Sequence, residues 1–236
     1  MQNSVPNIVE INEVLVGINE TSWQVKSYLG KGCFGAIVLA VNKKTGQEAA
    51  LKTLEGISDL HRAGFLHRDI KPANFAIGLP PNCRQIYILD FGMSRKYLKK
   101  DGRHRRPRET AKFRGTPFYA SPVALKEGEQ ARRDDVWAWF FMTIEFTVEK
   151  LPWDKTLYRG ATLKEKLKDM AEDRQFYVEN GDKLLSGCPK QFFLIYEHLN
   201  KLQYSDAPDY EAIIQAVKDI YSQESIDMNS PLQYEN

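Results

Sequence analysis

Two short motifs in a fixed order constrain this chain more than any other feature of its sequence. The first is His67-Arg68-Asp69-Ile70-Lys71-Pro72-Ala73-Asn74, and the second is Leu89-Asp90-Phe91-Gly92. They place a carboxylate, a cation and two oxygen ligands at the spacing that phosphoryl transfer requires, because that reaction depends on positioning and charge neutralisation. The alternative is a charged loop before a strand, which would have to match about eight positions by chance.

Each residue type in the two motifs suits one part of such a reaction. Asp69 would accept or orient the proton of a substrate hydroxyl, and Lys71 would lie beside the transferred phosphate. Asn74 and Asp90 would supply hard oxygen ligands to Mg²⁺, which prefers few protein oxygens together with phosphate oxygens. We therefore predict Asp69 and Lys71 as catalytic residues, Asn74 and Asp90 as metal ligands, and ATP with Mg²⁺ as cofactors.

Composition narrows the class of protein without naming its function. With 236 residues and 42% hydrophobic content, the chain can bury a core as one large domain or two small ones. A net charge of +2 gives no bulk electrostatic case for nucleic acid. Three dispersed cysteines indicate a reducing compartment. No signal peptide is visible. The longest apolar stretch, Val136 to Phe146, is shorter than the roughly 20 residues of a membrane span. We expect a cytoplasmic or nuclear monomer without membrane contact.

Alternating apolar and polar positions from Ser22 to Leu54 predict three strands. The glycine-rich run Gly30 to Gly35 lies between the first two, and alone it indicates only a tight turn. A dinucleotide-binding fold is disfavoured, because a strand pattern follows the glycines where that fold needs a helix. With Lys52 on the predicted third strand, the combination favours a phosphate-covering loop and a phosphate-binding lysine. The predicted ATP-binding residues are Gly30, Gly32, Gly35, Ile37, Ala50 and Lys52.

The remainder of the chain divides into short strands, an irregular segment and helices. A helix closed by Gly64 precedes the first motif, two short strands over 74–77 and 86–89 flank a turn at 80–82, and 90–120 has little periodicity. Apolar residues at helical spacing predict helices over 134–148, 163–179, 190–202 and 210–223, and 224–236 reads as a frayed tail. An aromatic run in the first of these helices predicts core packing; it comprises Trp137, Trp139, Phe140 and Phe141.

The run from Gly64 to Ala76, followed by Tyr87 to Gly92, resembles the casein kinase 1 superfamily, and within it the tau-tubulin kinase-like branch. Three further segments strengthen the resemblance, which covers about residues 20 to 222: Phe113-Arg114-Gly115-Thr116, Tyr119-Ala120-Ser121 in place of Ala-Pro-Glu, and Arg133-Asp134-Asp135-Val136-Trp137 leading to Leu151-Pro152-Trp153. The Tyr-Ala-Ser replacement separates this group from other kinases.

The resemblance implies an ATP- and magnesium-dependent serine/threonine protein kinase in signal transduction. It implies a two-lobed α+β fold, with an extension over 1–21, a small lobe over 22–55, a large lobe over 56–222 and a tail over 223–236. Asp135 would cap backbone amides of the catalytic loop from a buried helix. Protein substrates would be acidic or pre-phosphorylated, with Arg114 and Lys164 as a substrate anion site. Phe118 departs from the family, because a basic residue usually precedes Tyr-Ala-Ser.

The spacing between Lys52 and Asp69 is a larger departure from that family. Only sixteen residues separate them, whereas a full kinase places the αC helix, two strands, the hinge, αD and most of αE there. Standard element lengths put the missing portion at about 60 to 70 residues. Glu55 is too close to Lys52 to replace the αC glutamate. The intact motifs favour a splice form or an exon missing from a gene model over a long-degraded pseudokinase.

Two functional interpretations follow from this gap. Without the lysine–glutamate pair and the hinge, we expect this chain to bind ATP poorly and to phosphorylate slowly or not at all. A truncated small lobe with no covering helix should be marginal or pack elsewhere. The alternative is a non-catalytic kinase-like module that presents a protein-interaction surface.

A basic cluster stands out in the irregular segment: Arg103, His104, Arg105, Arg106 and Arg108. It would bind an acidic substrate or a regulatory phosphate, with Thr110 or Thr116 as modification sites, or it is simply a solvated loop. Nucleic-acid binding is disfavoured, because the run is short and has no interleaved aromatic residues. Arg68 would pair with an anion of this segment or be held by local backbone.

Overall fold

The structure is a computed structural model that describes residues 14–16, 22–32, 35–42, 46–77, 86–154, 156, 158, 160 and 162–223. Up to residue 49 it describes the backbone alone, and from Ala50 onward it describes side chains as well. Among the described residues, no helix combines the length and the apolar character needed to cross a membrane.

The N-terminal part forms an antiparallel three-stranded sheet. Its strands are β1 (Val14–Val16), β2 (Ser22–Gly32) and β3 (Gly35–Asn42), and β2 lies in the centre. Gly32 lies opposite Gly35 in the register. The glycine-rich run is therefore a hairpin between two strands, as predicted, while Cys33 and Phe34 at its tip lie outside the described residues.

The predicted third strand, which would carry Lys52 and end at Leu54, is wrong. Residues Gly46–Arg62 form a 17-residue helix, α1, that contains Ala50 and Lys52, and the sheet takes its third strand from β1 instead, before the predicted range. The sequence Lys44-Thr45-Gly46 also predicts a turn; Lys44 and Thr45 lie outside the described residues, and Gly46 begins the helix. α1 runs across position 55/56, where we expected the boundary between the two lobes.

Tertiary packing explains why this segment is helical. Ala50, Leu54 and Ile57 are fully buried, and their spacing of three and four residues puts them on one face of a helix. The alanine, leucine, lysine and glutamate residues of the segment are also strong helix formers. α1 ends as predicted, because Gly64 follows it with φ +87°, a left-handed conformation that glycine adopts at low cost.

Four short strands follow α1. β4 (Phe65–Leu66) pairs with β7 (Arg95–Lys96), and β5 (Phe75–Ile77) pairs with β6 (Ile86–Ile88). β5 and β6 confirm the two strands predicted around the catalytic motifs, and the predicted turn at 80–82 lies outside the described residues. These pairs bring the first motif, which lies between β4 and β5, next to the second motif, which lies between β6 and β7.

Helices make up most of the remaining chain. They are α2 (Pro122–Leu125), α3 (Arg132–Val148), α4 (Leu163–Glu179), α5 (Gly181–Leu184), α6 (Phe192–Lys201) and α7 (Tyr210–Gln223). The four predicted helices are confirmed within two residues at each end: α3 begins two residues earlier than predicted, and α6 begins two residues later and ends one residue earlier. α3 is buried over residues 134–144, so its aromatic run belongs to the core as expected. α1, α6 and α7 contribute most of the other apolar side chains of this core, with further ones from α4, α5 and the connecting segments.

Candidate active site

Asp135, near the start of α3, organises the loop that carries the first motif. Its buried carboxylate accepts hydrogen bonds from the backbone N–H groups of His67 at 2.7 Å and Arg68 at 2.8 Å. His61, on α1, donates its Nε2 proton to the same carboxylate at 2.9 Å. Burial opposes ionisation, but these donors hold the pKa of Asp135 below its usual value. The predicted capping role of Asp135 is therefore confirmed.

The loop brings Asp69, Lys71 and Asn74 together. Lys71 Nζ lies 2.8 Å from Asp69 Oδ2, and Asn74 Nδ2 donates to the Asp69 backbone carbonyl at 2.8 Å and to Oδ2 at 3.2 Å. Burial raises the pKa of Asp69, but the contacts with Lys71, Thr116 and Asn74 outweigh it and lower the pKa below its usual value. Asp69 is therefore a carboxylate at neutral pH, which is the form that accepts a proton.

The second oxygen of this carboxylate has a different environment. Asp69 Oδ1 is buried and has no hydrogen-bond partner among the described residues. A buried acceptor without a donor costs free energy, and such atoms often mark a ligand position. The two oxygens thus differ in role, since Oδ2 is fixed by Lys71 and Asn74.

Gly115 and Thr116 pack against the catalytic loop. Lys71 Nζ donates a hydrogen bond of 2.9 Å to Thr116 Oγ1. Gly115 has φ +105°, and a Cβ atom at this position would lie only 2.4 Å from the Arg68 carbonyl oxygen. A glycine is required here, because both the backbone conformation and the close approach exclude a side chain. The irregular segment over 90–120, which we call the activation segment, therefore rests directly on the catalytic loop.

The predicted magnesium ligands come from neighbouring backbone positions. The Leu89 N–H donates to the Asn74 carbonyl at 2.8 Å, which places Asp90 next to the loop of Asn74. Asp90 adopts a left-handed conformation with φ 60°, and its exposed carboxylate accepts from the Gly92 N–H at 3.1 Å. A buried amide oxygen and an accessible carboxylate are hard donors that suit Mg²⁺. These residues fit the expected metal.

The predicted nucleotide-binding residues are not all in the expected places. Gly30, Gly32, Gly35 and Ile37 belong to the β2–β3 hairpin, for which only the backbone is described. Ala50 and Lys52 lie on α1, with Ala50 fully buried and its carbonyl bonded to Trp139 Nε1 of α3 at 3.0 Å. The helix therefore carries Lys52 away from the strand on which the prediction placed it.

The predicted anion-site residues differ in their surroundings. Arg114 lines a small cavity of about 10 Å³, room for about one water molecule, together with Asp69, Thr116 and Ser121. Lys164 is exposed at the beginning of α4 and is not among the residues that line this cavity. Arg114 thus lies near Asp69, and Lys164 has no such connection within the described residues.

The basic cluster of the activation segment divides into separate contacts. Arg103 pairs with Asp101 at 2.6 Å, Arg105 and Arg106 are exposed, and Arg108 bonds to Glu129. Arg68 donates from Nε to the Met93 carbonyl at 2.6 Å, so local backbone holds it. Arg103, Arg105 and Arg106 are therefore solvated, whereas Arg108 is held by Glu129 and His104 is half-buried against Tyr97 and Arg132.

Sequence patterns did not indicate the structural roles of three residues in this site. His61 and Glu129 act through partners far apart in the chain, and Gly115 is needed because of one contact with Arg68. The pairing of a helix-terminal histidine with a buried aspartate 74 positions later leaves no local periodicity. In the sequence, only the order in which the motifs follow one another could have suggested that these residues meet.

Comparisons with known proteins agree with this geometry. The family model described as a protein kinase domain matches residues 53–201, which is more than half of the chain. A probable serine/threonine-protein kinase of Dictyostelium discoideum is 34% identical over 222 residues, which cover 94% of this chain and 41% of that protein. The serine/threonine-protein kinase spe-6 of Caenorhabditis elegans is 32% identical over 190 residues, which cover 78% of this chain and 48% of that protein.

Two features of these matches bear on the site. The family match begins immediately after Lys52 and includes Asp69, Lys71, Asn74 and Asp90. The matched part spans less than half the length of each of the two curated relatives.

Proposed function

This chain belongs to the protein kinase family, and we propose that it is a serine/threonine kinase domain whose catalytic loop is assembled but whose hold on ATP is weak. The observation that carries the proposal is the position of Lys52 on α1. The catalytic loop and the activation segment are in mutual contact through Lys71 and Thr116. In the part of the chain before the catalytic loop that the structure describes, neither a separate αC helix nor a hinge is seen.

The chemistry assigned to the catalytic loop uses residues already in contact. Asp69 takes the proton of a substrate serine or threonine hydroxyl, and its lowered pKa keeps it in the carboxylate form that accepts one. Lys71 offsets negative charge at the transferred group, and Thr116 fixes the position of its ammonium. Asn74 and Asp90 hold Mg²⁺, which would neutralise phosphate charge when it is bound.

The weak binding of ATP follows from helix α1. Returning Lys52 to a strand would require α1 to unwind through Ala50 and break the contact of that residue with Trp139. A helix so placed cannot supply the strand lysine that pairs with phosphates. Phe91 supports the same conclusion, because its side chain is 53% exposed, whereas a complete small lobe would offer it a cover.

The assignment to the tau-tubulin kinase-like branch of the casein kinase 1 superfamily draws support from the Tyr119-Ala120-Ser121 segment. Tyr119 donates its hydroxyl proton to Glu145 at 2.6 Å, and Ser121 donates to Asp134 at 2.6 Å. Ser121 also accepts from the Ala124 N–H at 3.1 Å and so caps α2. The residues that distinguish the branch thus have structural roles here.

We propose acidic or pre-phosphorylated proteins as the substrate class. Arg114 is exposed and lines the cavity that contains Asp69, so an anion beside the acceptor hydroxyl would meet a guanidinium group. Arg114→Gln should therefore weaken the binding of an acidic peptide while a neutral peptide of the same length is unaffected. Equal effects on both peptides would contradict this assignment.

Phosphoryl transfer to an acidic peptide tests the main proposal. At micromolar Mg-ATP, the chain should transfer phosphate no faster than an Asp69→Asn control. Transfer should become measurable only at millimolar Mg-ATP, because the nucleotide contacts are incomplete. Rapid transfer at micromolar Mg-ATP that disappears in Asp69→Asn would refute the claim of weak ATP binding and would leave the family assignment intact.

A second candidate function is a non-catalytic protein-interaction module, and the exposed aromatic residues favour it. Tyr87 is 46% exposed and Phe91 53% exposed, and both adjoin the catalytic loop. Such residues are common at protein interfaces. If millimolar Mg-ATP does not raise the unfolding temperature and an acidic peptide does, the module interpretation is preferred.

A further inference from the structure

A group of arginines converges beside the catalytic loop. Arg95, Arg108 and Arg114 all lie close enough to Arg68 to lower its pKa, after the larger effect of burial. Arg95 belongs to β7, whereas Arg108 and Arg114 belong to the activation segment. Like charges repel, so this convergence requires an anion to offset it.

Glu129 supplies that anion. Its side chain is only 4% exposed, and Oε1 accepts from Arg95 Nε at 3.1 Å and from Arg108 Nη2 at 3.2 Å. Oε2 accepts from Arg108 Nε and, at 3.4 Å, from the Arg108 backbone N–H. The Arg108 fork thus binds both oxygens, which is the strong geometry for an arginine–carboxylate pair.

The position of Glu129 connects three segments of the site. It lies just before α3, the helix that carries Asp135, and it binds β7, where Arg95 pairs with Leu66 immediately before the catalytic loop. Through Arg108 it also binds the middle of the activation segment. One carboxylate therefore joins that segment to both supports of the catalytic loop.

We propose that Glu129 is a positioning residue that holds the activation segment in place as a built-in anion, without a bound or covalently attached phosphate. A phosphate on the exposed Thr110 would find the Arg108 fork already occupied. The segment is then ordered constitutively, and the site between Arg95 and Arg108 accepts an external anion only when Glu129 is removed. This inference is independent of the proposed function, because it involves no nucleotide.

Limited proteolysis with trypsin tests this proposal at defined bonds. Cleavage after Arg108 requires its side chain to leave Glu129 and enter the protease, whereas Arg103 is exposed and pairs only with Asp101. Cleavage after Arg103 therefore serves as an internal reference. We expect Glu129→Gln to raise the ratio of Arg108 to Arg103 cleavage by about tenfold or more, since a local contact worth over about 1.4 kcal/mol is lost.

A matched control and a rescue separate a specific contact from general loosening. Glu127→Gln removes the same charge two residues away, where Oε1 accepts only a long bond from the Phe113 N–H at 3.4 Å, and it should leave the ratio unchanged. Inorganic phosphate at about 20 mM should restore slow cleavage after Arg108 in Glu129→Gln, because it can take the place of the carboxylate between Arg95 and Arg108. Chloride at equal ionic strength should not.

Three results would overturn the proposal. They are an unchanged cleavage ratio in Glu129→Gln, a failure of phosphate to restore it, and phosphate protection of Arg108 that is equally large in the unmodified chain. If Glu129→Gln does not fold by circular dichroism, Glu129→Asp and the unmodified chain still decide the matter. The former should show a raised ratio that phosphate lowers, and the latter a ratio that phosphate does not change.

Discussion

The backbone carbonyl of Ala50 accepts a hydrogen bond of 3.0 Å from the indole nitrogen of Trp139, and this contact fixes the beginning of α1 on the core helix α3. The same indole nitrogen lies 3.1 Å from Thr53 Oγ1. Both residues are buried, so the hydrogen bonds are shielded from water. Lys52 lies between these two partners and shares the helical backbone that the indole supports.

Replacing Trp139 should weaken the start of α1. Trp139→Phe removes the indole donor and leaves a cavity, while the Ala50 carbonyl keeps its hydrogen bond from Thr53 Oγ1 at 2.9 Å. We expect the lost indole bond and the cavity together to cost about 2 to 3 kcal/mol of unfolding free energy. Trp137→Phe is the matched control, since Trp137 is buried on the same helix and no indole hydrogen bond is seen for it among the described residues. Urea unfolding should show a cost at least about 1 kcal/mol smaller for the control; equal costs would contradict the role of this bond.

Gly115→Ala should disturb the catalytic loop through one contact. The new Cβ would lie 2.4 Å from the Arg68 carbonyl, so either the loop or the activation segment must move. Gly102→Ala provides the control, because Gly102 has φ +79° and nothing lies within 4 Å of its Cβ position. Backbone strain of about 1 kcal/mol is common to both, so thermal unfolding should show a clearly larger loss for Gly115→Ala. Similar losses would argue against the close approach.

Asp135→Asn should destabilise the chain strongly. The amide can accept at one position only, so it cannot serve the His67 N–H, the Arg68 N–H and His61 together. We expect a loss of about 3 kcal/mol, the range for breaking a buried charged network. Asp182→Asn on the exposed surface of α5 is the control and should change the urea midpoint little. A loss below about 1 kcal/mol for Asp135→Asn would contradict the claim that this carboxylate contributes strongly to the unfolding free energy.

Asp134 predicts an unusual dependence of stability on pH. Burial raises its pKa to about 6, although Ser121 and the Ala131 N–H bind the charged form. Between about pH 4 and 6 the folded state binds more protons at this group than the unfolded chain, so its contribution to stability falls as the pH rises. The shift of about two units sets a limit of about 3 kcal/mol.

Urea midpoints at about pH 4.5, 5.5 and 6.5 measure this contribution as the difference between the unmodified chain and Asp134→Asn. The unmodified chain should lose stability relative to the variant as the pH rises through this interval. A difference that stays constant, or one that increases with pH, would show that the carboxyl group titrates normally.

How much the sequence could predict depended on how local each signal was. The bounds of α4 and α7 were predicted to the residue, because their apolar residues recur at helical spacing and Thr162 caps α4. Asp69 and Asn74 were predicted to cooperate from motif spacing, and they are in contact. These signals lie within a few residues of one another.

Ala50 and Lys52 show where a local pattern is misleading. In isolation, Ala50-Leu51-Lys52 after a strand resembles the end of a third strand, but burial against Trp139 favours the helix. Glu129 was missed for a related reason, since its partners Arg108 and Arg95 lie 21 and 34 residues earlier in the chain. Tertiary contacts of this kind leave no periodicity in the sequence.

The binding of Mg-ATP tests the central claim most directly. Isothermal titration of the unmodified chain, Lys52→Met and Asp90→Asn compares the helical lysine with a residue of the metal site. The account predicts a dissociation constant near or above about 1 mM for the unmodified chain, no change in Lys52→Met, and weaker binding or none in Asp90→Asn. Micromolar binding that Lys52→Met abolishes would contradict it, because Lys52 would then contact the phosphates in spite of its place on α1.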